Sequence, residues 1–405
     1  MTSTLLSHLL LYICFLSLVT ARNEKHISTD LFNSLEELSR LVDISYCVGT
    51  TGVQQPFQCL SRCDEFPDLE LVTTWNTGVL LSDSCGYIAL SHTPTAKQII
   101  LAFRGTYSIT NTIIDLSAYP QAYIPYPDPE EKSTTTLIPA DPHCENCTVH
   151  AGFMRSWLHT RTEILPAVTT LRQNYPDYAV TLVGHSLGGA VAALAGLEMR
   201  LTGWDATVTT FGEPMIGNGA FAAFLDEQFG LVDGMSIPSL EGGQRFRRVT
   251  HFGDPVPRLP LAEWGYSPHS GEVFIMREGL PPRRADVVHC AGAEDSGCIA
   301  GGGAEGALAE LYRDLNVPVG LAGSGSGGEA CLSSGRDGGR RDVSEEQAVL
   351  GFESPDIADC EDGLSPLRWD WSLIPARYRL WELFYAHRDY FWRIGLCVPG
   401  GDPTG

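Results

Sequence analysis

Basic residues are scarce in this 405-residue chain: 27 lysines and arginines stand against 49 aspartates and glutamates, a formal charge of −22. Such an acidic surface argues against nucleic acid as a partner and against electrostatic docking on anionic membranes. It suits a protein that must stay soluble in an acidic exterior. Long hydrophobic runs are missing beyond Val19, so no transmembrane segment is expected in the mature chain. Metal-ligand and nucleotide-binding motifs are missing too, and no cofactor is expected.

What is present begins with the apolar run Leu9 to Val19, too short to span a bilayer comfortably. It leads into Val19-Thr20-Ala21, small residues suited to signal peptidase, so residues 1–21 read as a signal peptide. The n-region has no Lys or Arg, and an amino-terminal anchor is the alternative. An exported protein can oxidise its cysteines, and all of the twelve except Cys14 lie beyond the signal. Their number is odd, which leaves at least one thiol outside any intramolecular pair. Cys144-Glu145-Asn146-Cys147 is tight enough for a local clip; a zinc site is the competing reading, but no second Cys/His pair follows at finger spacing. Asn146-Cys147-Thr148 is a glycosylation sequon.

Ser28 to Val42 reads as an amphipathic helix, with Leu31, Leu35, Leu38 and Val42 at helical spacing behind a polar cap. Tyr87–Leu90 and Gln98–Phe103 read as strands joined by a polar turn, and Tyr119 to Pro129 as a proline-rich surface loop. Phe153 to Tyr175 reads as a helix, Ala179–Val183 as a short apolar strand, and Ala190 to Arg200 as a helix. Ala206–Phe211, Phe246–Thr250 and Glu272–Met276 read as further strands. Strands alternating with helices imply an α/β sheet, largely parallel in its middle. Residues 301–363, rich in glycine and serine, read as a flexible insertion that separates a domain at 22–300 from its last part at 364–405.

Between the Ala179–Val183 strand and the Ala190–Arg200 helix stands Gly184-His185-Ser186-Leu187-Gly188. A bare Gly-x-Ser-x-Gly carries little weight in a chain with 42 glycines, but strand, elbow and helix in this order carry much more. The turn lifts the Ser186 hydroxyl clear of the backbone, the glycines relieve crowding, and the helix offers the Leu187 N–H to a reacting carbonyl. A serine needs a base, and the base an acid, in the order Ser, Asp or Glu, His. Asp254, in His251-Phe252-Gly253-Asp254-Pro255, sits on a turn just past a strand, where open α/β sheets build their sites. An Asp that satisfies turn amides is the alternative. Three histidines follow it, His269, His289 and His387, and position alone favours His387 only slightly.

These motifs resemble those of the fungal class 3 lipases, the family of filamentous-fungal triacylglycerol lipases and type A feruloyl esterases. The matching stretches are Ile100 to Thr106, His150-Ala151-Gly152-Phe153, Gly184 to Ala190, Thr210 to Pro214, Gly217-Asn218, Asp254 to Pro257, and His387 before Tyr390-Phe391. The resemblance implies an α/β-hydrolase fold with a mostly parallel central sheet and a helical lid. It implies Ser186, Asp254 and His387 as the triad, and Thr106 (N–H and hydroxyl) with Leu187 (N–H) as the oxyanion hole. It also implies disulfides Cys47–Cys397, Cys144–Cys147 and Cys290–Cys298, with Cys59–Cys63 a looser match and Cys85, Cys331 and Cys360 unassigned. Met215 departs from the family's usual Arg, and the insertion before His387 is longer than in compact members.

The stretch matching the family's lid is Tyr107 to Leu116, where Ile109, Ile113 and Ile114 with Leu116 offer an apolar underside. That leans toward a lipase working at a lipid–water interface, although Thr112 stands where family lipases carry Trp. A buried core helix would show the same isoleucines. The expected activity is therefore that of a secreted serine hydrolase cleaving carboxylic esters, a triacylglycerol lipase acting on acylglycerols through an acyl-enzyme. A soluble carboxylesterase such as a feruloyl esterase is the alternative within enzymes, and a catalytically dead binding protein on the same fold the alternative outside them.

Overall fold

The computed structural model describes residues 26–78, 84–93, 96–106, 120–123, 144–231, 243–299 and 385–399. All belong to one compact unit, formed by residues 1–317 and 376–405. The expected signal peptide, the lid stretch with Ile109, Ile113 and Ile114, and the 301–363 insertion lie outside the described residues.

Helix α1 (Thr29–Ile44) starts where the Ser28 side chain accepts the Leu31 N–H at 3.1 Å. Strands β1 (Leu69–Asn76), β2 (Cys85–Thr93) and β3 (Ala96–Arg104) follow, with β2 and β3 forming the expected hairpin. Pro120–Ala122 was expected in a loop; it forms strand β4 instead, because the backbone of β5 (Thr148–His150) pairs with it. Helix α2 (Ala151–Asn174) leads into β6 (Ala179–His185), helix α3 (Leu187–Leu201) and β7 (Ala206–Phe211). Next come β8 (Gly217–Asn218), helix α4 (Gly219–Phe229), β9 (Phe246–His251), β10 (Tyr266–Ser267), β11 (Glu272–Ile275) and β12 (Val287–His289).

The described strands make a main sheet of order β1-β2-β3-β6-β7-β9-β11-β12 and a small sheet of order β10-β8-β5-β4. Pairing is parallel from β3 through β6, β7 and β9 to β11, and antiparallel at both edges. The apolar runs of β3 and β6 explain the layering. Side chains alternate across a strand, so a continuous run must be covered on both faces. Ile99, Leu101, Phe103, Val180 and Leu182 enter one core with Trp157 of α2, Val191 and Leu194 of α3, and Leu225 of α4. Ile100, Ala102 and Val183 enter a second core with Leu35 and Val42 of α1 and with Tyr390, Phe391 and Ile394. This is the α/β-hydrolase architecture, and the second core seats the carboxyl-terminal segment beneath the sheet's α1 face.

Disulfides Cys47–Cys397, Cys59–Cys63, Cys144–Cys147 and Cys290–Cys298 are formed. The first ties the end of α1 to the carboxyl-terminal segment across 350 residues of sequence. Cys85 keeps its thiol, buried on β2, with Sγ donating to Asn76 Oδ1 at 3.0 Å.

Candidate active site

Ser186 stands between β6 and α3 with φ 58° and ψ −129°, a conformation that L side chains rarely adopt. Such strain costs about 1–3 kcal/mol and persists only where the surroundings enforce it. Here they do. A Cβ on Gly184 would lie 2.2 Å from the Gly188 carbonyl oxygen, and one on Gly188 would lie 2.4 Å from that of Phe103. Side chains at either position would push the turn open. The Ser186 N–H donates to the Phe211 carbonyl at 2.9 Å, pinning the turn to β7. Leu187 is the first residue of α3, where helical N–H groups have no intrahelical acceptor and face an incoming anion. A Cβ on Gly105 would lie 2.8 Å from that of Ser186, so the end of β3 brings Thr106 beside the turn.

Asp254 and His387, 133 residues apart in sequence, meet in the interior. His387 Nδ1 lies 3.0 Å and 2.9 Å from the two carboxylate oxygens of Asp254. The same carboxylate accepts the Val256 N–H at 2.9 Å and the Tyr390 hydroxyl at 2.5 Å. Burial pushes the Tyr390 phenol well up, and the charge of Asp254 adds to the effect, so Tyr390 remains a donor. Gly212 permits this convergence: with φ +59°, its Cβ would fall 2.6 Å from the Tyr390 hydroxyl and 2.9 Å from His387 Cε1. His387 Nε2 is buried and has no hydrogen-bond partner among the described residues. An imidazole held this way through Nδ1 can take a proton at Nε2 and give it back.

Two further histidines, to which sequence reasoning gave no part, grip the backbone around His387. His185 Nε2 donates to the His387 carbonyl at 2.8 Å, and His251 Nδ1 to the Ala386 carbonyl at 3.2 Å. A carbonyl only accepts, so each of these nitrogens carries a hydrogen. Burial lowers the affinity of His185 for a second proton far below the ordinary value, helped by the charges of His387 and Arg388. Burial also lowers that of His251, against the pull of Asp254 and Asp389. His185 Nδ1, 2.6 Å from the Tyr46 hydroxyl, is then an acceptor, and Tyr46 donates. The residue before Ser186 therefore holds the backbone of His387. The only sequence hints were the presence of His185 inside the elbow motif and of Tyr390 three residues past His387.

The other two candidate bases lie elsewhere. Both ring nitrogens of His269 are engaged, with the Ser270 carbonyl and Glu213 Oε1, each at 2.8 Å. His289 sits in edge strand β12, paired with Val273. Neither reaches Asp254.

Residues 100–264 match the family model for lipase (class 3). Over 402 residues the chain is 48% identical to a protein called Lipase A from Sodiomyces alcalophilus, spanning 96% of this chain and 87% of that one. It is 46% identical to a secreted mono- and diacylglycerol lipase of Gibberella zeae, over 95% of this chain and 86% of the relative. Among solved structures, the Lip2 lipase of Yarrowia lipolytica superimposes with a TM-score of 0.61 at 34% identity, covering 68% of this chain and 91% of that one.

Proposed function

The chain belongs to the class 3 lipases and is a secreted carboxylic ester hydrolase, and from that premise we propose that it cleaves acylglycerols through an acyl-enzyme on Ser186. In this reading His387 Nε2 takes the Ser186 proton as Oγ attacks the ester carbonyl. The negative charge that develops on the carbonyl oxygen is met by the Leu187 N–H and by the N–H and hydroxyl of Thr106. His387 then protonates the departing alcohol, and the same steps with water release the fatty acid. Asp254 holds the ring and balances its positive charge, with Tyr390 and the Val256 N–H satisfying the carboxylate.

The observation that carries this reading is the 2.9 Å contact between His387 Nδ1 and an Asp254 carboxylate in the core that His185, next to Ser186, also enters. Acylglycerols are the substrates for which the Gibberella zeae relative is named. Ile109, Ile113 and Ile114, in the stretch that matches the family's lid, support a lid that opens on a lipid–water interface. Residues 1–21 act as the removed signal, 22–300 and 364–405 form the catalytic domain, and 301–363 is an insertion.

Substitution tests the assignment. Ser186→Ala, Asp254→Asn and His387→Ala should each fold and lose at least about a thousandfold in turnover of a soluble short ester, whereas His269→Ala should keep most of it. An active His387→Ala protein would remove His387 from the role of base.

A further inference from the structure

The segment carrying His387 docks on α1 through a buried charge that the reaction scheme does not use. Asp43, in the last turn of α1, is 1% exposed. Its Oδ1 accepts the Gly395 N–H at 2.9 Å, and its Oδ2 accepts the Ser61 hydroxyl at 3.0 Å. Arg62 Nε lies 3.9 Å from Oδ2, while the Arg62 guanidinium also binds Glu65 at 3.0 Å and covers the Trp392 ring at 4.4 Å. Arg388, the residue after His387, faces the same carboxylate electrostatically. Tyr87, whose hydroxyl donates to the Leu41 carbonyl at 2.8 Å, faces it from β2.

Arg388 and Gly395 close one turn. Arg388 Nε donates to the Ile394 carbonyl at 2.5 Å, and the Ile394 N–H donates to the Arg388 carbonyl at 2.9 Å. Gly395, at φ +111°, holds a conformation that L side chains rarely adopt, and a Cβ there would also press on Arg388 Nε at 3.1 Å. The turn is therefore gripped at both ends, by its own hydrogen bonds and by one carboxylate on α1. We propose that Asp43 is a positioning residue: its ionised carboxylate, balanced by Arg62 and Arg388, holds the Arg388–Gly395 turn and so keeps the adjoining His387 in reacting register. This rests on the reading of His387 as the base. The disulfide to Cys397 fixes the chain only beyond the turn and does not replace this contact.

Burial pushes the Asp43 carboxyl up to about 6, although the Gly395 N–H, Ser61, Arg62 and Arg388 all favour the charged form. Protonation would leave two buried guanidinium groups without their shared anion. As pH falls through about 6, kcat/KM on a dissolved short ester should then drop in a step that belongs to Asp43. Asp43→Asn, which keeps an oxygen for the Gly395 N–H, should lack that step. Its plateau kcat should fall on the order of tenfold, with KM unchanged. Ser61→Ala removes a hydrogen bond that favours the ionised form, so the Asp43 break should move to higher pH. An acid limb in Asp43→Asn identical to that of the wild type, or wild-type kcat in Asp43→Asn, overturns the proposal. If Asp43→Asn does not accumulate, an unmoved break in Ser61→Ala overturns it instead. An active His387→Ala protein would sink the triad reading; an inactive one beside a fully active Asp43→Asn sinks only the role of Asp43.

Discussion

Replacing Asp43 by Asn should make the protein more stable at neutral pH, even as it slows the reaction. The carboxyl titrates near 6 in the folded protein against an ordinary 3.8, with burial as the main cause. The folded state thus holds its proton longer than the unfolded chain does. Stability from this group is complete below about pH 4, is lost as pH rises toward 6, and stays lost above that. A displacement of about two units corresponds to about 3 kcal/mol, at 1.36 kcal/mol per unit. Asn mimics the protonated form, keeps an acceptor for the Gly395 N–H, and never bears the cost of the buried charge. The expected gain at pH 7 is therefore about 3 kcal/mol, which in a domain of this size raises the melting temperature by about 4 °C. Thermal or urea melts of both proteins at pH 4, 5, 6 and 7 would measure it. The difference should be near zero at pH 4 and grow to a plateau above pH 6. A mutant less stable than wild type at pH 7, or a difference independent of pH, would refute the reasoning. A carboxylate retained at a cost in stability is what a functional constraint produces.

Tyr390→Phe removes one of three donors to the Asp254 carboxylate while keeping the ring that packs edge-on against Phe211. It should cost about 1.5–3 kcal/mol in a urea melt, and an unchanged midpoint would mean the hydroxyl contributes nothing. Thr106→Val retains the backbone N–H and deletes the hydroxyl, so turnover should fall roughly a hundredfold with little change in KM. Wild-type turnover there would limit Thr106 to its backbone. If Tyr107–Leu116 acts as the proposed lid, exposing roughly a few hundred Å2 of apolar surface on opening would cost several kcal/mol in water at about 25 cal/mol per Å2, enough to keep the site closed until an interface binds the open form. Activity should therefore jump as an ester passes its solubility limit, and Ile113 and Ile114 replaced by Ser should flatten the jump. Smooth saturation together with strong hydrolysis of methyl ferulate would favour the feruloyl-esterase alternative.

Much of the fold was legible in the sequence because its signals are local. A polar residue before a 3.6-residue apolar period gives α1, and β7 runs from Ala206 to Phe211 as the pattern predicted. The elbow is legible for the same reason: Gly184, Ser186 and Gly188 lie within five consecutive residues, and the crowding that demands glycine is set by those neighbours and by β3. Partner strands were less legible. Pro120–Ala122 becomes a strand only because β5 lies beside it, a fact that no window of sequence around Tyr119 contains.

Sequence by itself determined the compartment, the sheet-and-helix alternation and the serine's turn, all of which follow from composition or from spacings of a few residues. Position along the chain left three histidines open and only the family resemblance pointed to His387; the tertiary structure shows that His387 meets Asp254. His269 and His387 are equivalent as letters, but one has both nitrogens engaged by Ser270 and Glu213, and the other is brought across 133 residues onto the carboxylate. The roles of Tyr390, His185, His251 and Asp43 were not legible, even where His185 and Tyr390 stood inside or near a motif, because they act on atoms distant in sequence: a carboxylate, two carbonyls and a backbone N–H. A hydrogen bond needs its partner within about 3 Å. Distances of that kind between remote segments exist only once two cores have packed against opposite faces of one sheet.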